Sequence, residues 1–60
     1  GETYKNRCGA VLCVVERISP EVYVTESQSG WVQEIHRPVI CEDGHIEWER
    51  SSGGHWKEGA

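Results

Sequence analysis

The run Gly9-Ala-Val-Leu-Cys-Val-Val-Glu-Arg-Ile18, closed by Ser19-Pro20-Glu21 and followed by Val22-Tyr-Val-Thr25, constrains this chain more than any other stretch. It is rich in β-branched residues and carries no helix cap, so it reads as the first hairpin of a small β-domain. Alternation separates Val11, Cys13 and Val15 from Leu12, Val14 and Glu16, which leaves both faces apolar at the centre. That pattern predicts a central strand, or one bent by a bulge at a barrel corner. Pro20 falls where a fixed φ of about −65° and a missing N–H do no harm. Beyond it Val22 and Val24 point one way and Tyr23 and Thr25 the other, with Tyr23 read as outward.

The rest of the chain has the same character. Glu2 to Tyr4 reads as a short edge strand leading into a turn at Asn6 to Gly9. Trp31 to Ile40 resumes β-character, and Pro38 confines its second half to an edge or a bulge. Cys41-Glu-Asp-Gly44 holds the Asp-Gly pair of tight hairpin turns, and His45 to Arg50 alternates Ile46 and Trp48 against Glu47 and Glu49. Ser51-Ser-Gly-Gly54 reads as a flexible connector and His55-Trp56 as a final short strand or turn over the barrel's end. No repeat and no helical periodicity is present.

Sixty residues make one domain, spanning residues 1–60. A chain of this size buries only about 60% of its unfolded surface, so its stability calls for reinforcement by a metal, a disulfide or self-association. Three cysteines cannot all pair within one chain, and their spacing is not that of a secreted disulfide framework. A reducing, cytoplasmic setting is therefore expected, with no secretory pattern and no apolar run near the ~20 residues of a membrane span. Ten acidic against six basic side chains give a net charge of −4, the wrong sign for phosphate backbones.

Five short strands with frequent turns predict an all-β fold, a strongly bent sheet closing into a small SH3-like barrel, with an OB-like barrel as the alternative. The pattern Tyr4-x2-Arg7-x-Gly9-x-Val11-x2-Val14 through Ile18 and Val22-x-Val24 resembles the opening hairpin of small SH3-like or KOW-type barrels, among them short accessory proteins of phages and prophages. The resemblance covers about the first 24 residues. It implies a phage or bacterial origin and a protein that acts by occluding or redirecting a host protein.

Two residue sets invite chemistry. Cys8-x4-Cys13 with Cys41-x3-His45 supplies four donors of the kinds tetrahedral zinc takes, and His36 and His55 are in reserve. Against a structural zinc, the first pair lacks the tight two-residue knuckle, and Cys13 lies in an apolar strand where a free Cys packs as a small hydrophobe. No Cys/His spacing matches a catalytic motif and sixty residues leave little room for a substrate pocket, so an enzyme is not expected and no cofactor is required. Glu42-Asp43 and Glu47/Glu49 offer carboxylates to a cation or to a basic patch on a partner, but read first as charges that keep an exposed strand soluble.

The aromatic composition is selective: three Trp, two Tyr and no Phe. Trp and Tyr are enriched at binding interfaces because they join an apolar face to a polar edge. Trp48 reads as core, whereas Trp31 and Trp56 follow glycine-bearing loops and read as a rim, with Tyr23, Arg37, Arg50 and His55 beside them. The expected function is a non-enzymatic module that binds a protein partner through this rim, with a homodimer as the natural cover for an open strand edge. The alternatives are a nucleic-acid-binding barrel using Lys5, Arg7, Arg37 and Arg50 beside stacked aromatics, and a domain stabilised by structural zinc on Cys8, Cys13, Cys41 and His45.

Overall fold

A computed structural model describes residues 2–58. Among these residues are seven strands and no helix: β1 Thr3–Lys5, β2 Val11–Ser19, β3 Val22–Ser27, β4 Trp31–His36, β5 Val39–Ile40, β6 Ile46–Glu47 and β7 Arg50–Trp56. It follows that no helix long and apolar enough to cross a membrane occurs among them. Five strands form one antiparallel sheet in the order β1-β2-β3-β4-β7, and β5 and β6 pair separately. The fold is all-β as expected. Among the described residues no ladder joins β1 to β7, so the sheet is not a closed barrel.

The anticipated bulge is present. Register shifts between Val14 and Glu16 and again between Arg17 and Ser19, which bends β2 and leaves Val15 and Ile18 exposed. Upstream of the first shift the alternation is regular: Tyr4 pairs with Leu12 and Val14 with Thr25, and across the next ladder Tyr23 pairs with Ile35. These residues share one face. Leu12, Val14, Ile35 and Thr25 are buried there, Ile46 reaches in from the β5–β6 hairpin, and Tyr4, Tyr23 and Trp48 pack against the cluster. Tyr23 therefore points inward, contrary to expectation. Alternation defines two faces but not which one is covered, and the hairpin bearing Ile46 covers the side of Tyr23 and Thr25.

Pro38 has a larger effect than an edge or a bulge. β4 ends at His36, Arg37 adopts a positive φ of 56° while its N–H donates to the Glu21 carbonyl at 2.7 Å, and Pro38 offers no N–H. The chain leaves the sheet, and Val39 and Ile40 pair instead with Glu47 and Ile46. The expected single strand from Trp31 to Ile40 is two strands in two sheets. Likewise the His45–Arg50 stretch divides after Glu47, where the Glu49 N–H donates to the His36 carbonyl at 2.9 Å and returns the chain to the free side of β4.

There the Ser51-to-Gly54 stretch is not a connector. It is the middle of β7, with Ser51 opposite Ile35 and Ser52 opposite Glu34, and Gly53 at φ 64° lies where the register shifts between Val32 and Glu34. Every residue of β7 is exposed, as expected of an edge strand. At the opposite edge the Glu2 carboxylate accepts from both the Tyr4 hydroxyl and the Arg17 guanidinium, and Arg17 lies 5.2 Å over the Tyr23 ring. This chain of contacts latches β1 over the side of the core.

Candidate functional site

Trp31 opens β4 and Trp56 closes β7, and antiparallel pairing sets them directly opposite each other. Their ring centroids lie 4.9 Å apart with planes at 76°, the edge-to-face arrangement that aromatic quadrupoles favour. Gly54 makes the position possible: a Cβ there would come within 2.4 Å of Trp31 Cζ2, so the Trp31 indole rests on bare backbone. Trp56 is 62% exposed and is the most exposed of the large hydrophobic side chains. His55, paired with Val32, stands beside it on the other face of the strand, its Nδ1 2.9 Å from the Gly53 carbonyl.

The other expected rim residues lie elsewhere. Arg50 pairs with His36 at the far end of β4, roughly 17 Å from Trp31 at about 3.4 Å per residue. Arg37 and Arg50 line a groove there with Glu21, His36 and Glu49, and Arg37 forms an exposed ion pair with Glu49 at 3.5 Å. Tyr23 belongs to the core edge between the two ends. The structure thus brings Trp31 and Trp56 together, leaves His55 on the opposite face of β7, and gathers Arg37 and Arg50 separately.

A second cluster sits on the β5–β6 hairpin. The Gly44 N–H donates to the Cys41 carbonyl at 2.9 Å and the Cys41 N–H to the His45 carbonyl at 2.8 Å, a tight turn in which Gly44 takes φ 90°. This places Cys41 across from His45, and period-two alternation puts Glu47 on the face of His45. The donor atoms of Cys41, His45 and Glu47 all lie within 4.8 Å of one another. His45 Nε2 meets Glu47 Oε2 at 2.6 Å while its Nδ1 bonds the Asp43 carboxylate, which also accepts from the His45 backbone N–H at 3.1 Å.

The charges follow from these contacts. Hydrogen bonds accepted by the Glu47 and then the Asp43 carboxylate push the His45 pKa up; the His45 ring holds Glu47 below its ordinary range, and the His45 backbone N–H, then its ring, does the same for Asp43. Burial, with Glu47 and Asp43 adding to it, pushes the Cys41 thiol up, so without a bound cation it keeps its proton.

Of the four expected zinc donors, Cys41 and His45 come together and Cys8 and Cys13 are not part of the cluster. Cys13 alternates with the inward Leu12 and lies opposite Glu26, on the face of the sheet away from the hairpin that Ile46 packs onto Leu12. Cys8 is exposed on the Asn6–Gly9 turn, where its N–H donates to the Asn6 side chain at 2.9 Å, and it lines a shallow groove with Arg7, Glu47 and Trp48. Glu47 and Asp43, read first as surface charge, join the expected donors here; the spacing His45-x-Glu47 on one strand, with Asp43 two residues before His45, is their signal in the sequence.

No protein-family model matches the chain, and comparison with curated proteins and with solved structures finds no match either.

Proposed function

We propose that this chain is a non-catalytic binding module that takes an extended segment of a protein partner along the open edge of β7, with the Trp31–Trp56 pair as its anchor. The observation that carries this reading is the combination of a fully exposed edge strand and, at its end, an exposed Trp56 steadied by Trp31. An unpaired edge offers backbone donors and acceptors to an added strand, and an adjacent aromatic supplies the side-chain contact that selects it. The net charge of −4 favours a basic segment, whose Lys or Arg would lie against the indole faces.

Within this reading the bent five-stranded sheet is an open member of the SH3-like class, its corners made by the bulges of β2 and β7. The cations do not form one surface, which argues against the nucleic-acid alternative: Arg17, Arg37 and Lys57 are each paired with a carboxylate, and Lys5 and Arg7 line one groove while Arg37 and Arg50 line another.

Intrinsic Trp fluorescence during titration with a library of extended basic peptides tests the proposal. Saturable binding lost in Trp56→Ala, with the fold intact by circular dichroism, supports it. Binding indifferent to Trp56, or sedimentation showing β7 covered by a second copy, defeats it.

A further inference from the structure

The ladder of the β5–β6 hairpin is short, pairing Val39 with Glu47 and Ile40 with Ile46, and the Cys41–His45 turn closes it. Isolated two-stranded ladders are marginal in water. Val39 and Ile40 are exposed, so the hairpin is tied to the domain chiefly through Ile46 and Trp48. Against that background three chemically different metal donors converge on its turn.

We propose that Cys41 Sγ, His45 Nε2 and the Glu47 carboxylate bind a single zinc ion that staples this hairpin. The donor set is one thiolate, one imidazole and one carboxylate, all of which zinc accepts. A tetrahedral ion with Zn–S of about 2.3 Å and Zn–N and Zn–O of about 2.0–2.1 Å separates its donors by roughly 3.3–3.6 Å. The three donors already lie within 4.8 Å of one another, so small side-chain shifts would bring them to that spacing. Zinc enters as the proton leaves the Cys41 thiol and the proton between His45 Nε2 and Glu47 leaves with it, so the 2.6 Å contact opens around the metal.

Asp43 is what separates this cluster from a chance meeting of surface groups. Metal-binding histidines characteristically donate their second ring N–H to a carboxylate, which fixes the tautomer and aims the free nitrogen at the ion. Asp43 bonds His45 Nδ1, leaving Nε2 as the atom that faces Glu47. Asp43 is itself fixed by the His45 backbone N–H at 3.1 Å. It acts as a positioning residue. A three-residue site leaves the fourth position to water.

The test uses the reduced full chain titrated with cobalt(II) as a spectroscopic substitute, followed by competition with zinc. The expected result is one ion per chain, with a thiolate-to-cobalt charge-transfer band that vanishes in Cys41→Ser and persists in a Cys8→Ser/Cys13→Ser double variant. His45→Gln is expected to weaken zinc binding by at least about tenfold, and Asp43→Asn by about 10–100-fold while the band itself remains. Should a hairpin variant unfold, which circular dichroism reports, Asp43→Asn still decides the question through affinity alone. No stoichiometric binding, a band that survives Cys41→Ser, or a band that follows Cys8 and Cys13 instead would overturn the proposal.

Discussion

Trp31 and Trp56 face each other across the β4–β7 ladder as directly opposed residues, their rings 4.9 Å apart and near perpendicular. The pair joins residues far apart in sequence and marks the end of the sheet where the edge strand is anchored. Its geometry depends on a third position that carries no side chain.

Gly54→Ala tests that dependence. The added Cβ would lie 2.4 Å from Trp31 Cζ2, closer than Cβ atoms come to any neighbour, so the Trp31 ring or the β7 backbone must shift. Overpacking of this kind costs about 1–3 kcal/mol. Urea unfolding followed by Trp fluorescence should show that loss, and the near-ultraviolet circular dichroism of the coupled indoles should weaken. An unchanged midpoint would mean that Trp31 rests elsewhere in solution.

A second prediction concerns the core. Thr25 is fully buried, between Val14 and Gln33 in the ladders, and its Oγ1 has no hydrogen-bond partner. A buried unsatisfied hydroxyl carries a desolvation penalty of about 1–3 kcal/mol. Thr25→Val keeps the shape and removes the penalty, so it should raise the urea midpoint by the equivalent of about 1 kcal/mol without altering the slope. A lower midpoint would reveal a partner for Oγ1.

Which parts of this fold could be read from residue order, and which could not, has a physical basis. Leu12 against Cys13, Ile46 and Trp48 against Glu47, and the Asp43-Gly44 turn are local signals, and the strands they mark are present. Ser51 to Gly54 has no side-chain pattern at all; it is a strand because β4 offers it a free ladder. Strand pairing of this sort is set by context more than by propensity. The same holds for the candidate site. His45 and Cys41 are visible as donors, but the pairing of Trp31 with Trp56, the exclusion of Cys13 and the separation of Arg37 and Arg50 from the indoles all depend on strand order. The inward turn of Tyr23 depends on where the β5–β6 hairpin lies.

Ile46→Ala probes the attachment of that hairpin. Ile46 is 1% exposed and packs on Leu12 and Ile35, whereas its ladder neighbour Ile40 is 48% exposed. Truncation of a buried Ile costs about 2–5 kcal/mol. Ile40→Ala, half-exposed already, should cost well under half as much. Equal losses in thermal or urea unfolding would place the hairpin's anchorage on both residues and contradict the packing described above.

The latch at the β1 edge gives a pH dependence whose sign is determined. The Tyr4 hydroxyl and then the Arg17 guanidinium hold the Glu2 carboxyl below its ordinary value of 4.5. A carboxyl depressed in the folded state stabilises the fold at pH values above its unfolded pKa and loses that contribution as pH falls through the lower, folded pKa. The urea midpoint of the parent chain should therefore drop relative to that of Glu2→Gln as pH is lowered from about 4.5. Glu2 and Arg17 are half-exposed, so the difference should be small and should shrink in high salt. Both curves should also be compared above pH 9. There the same hydrogen bond raises the Tyr4 pKa above 10.0, so the neutral phenol stabilises the fold and the contribution fades as pH rises through the raised value. Parallel curves for the two proteins at both extremes would show that Glu2 does not latch β1 to the core.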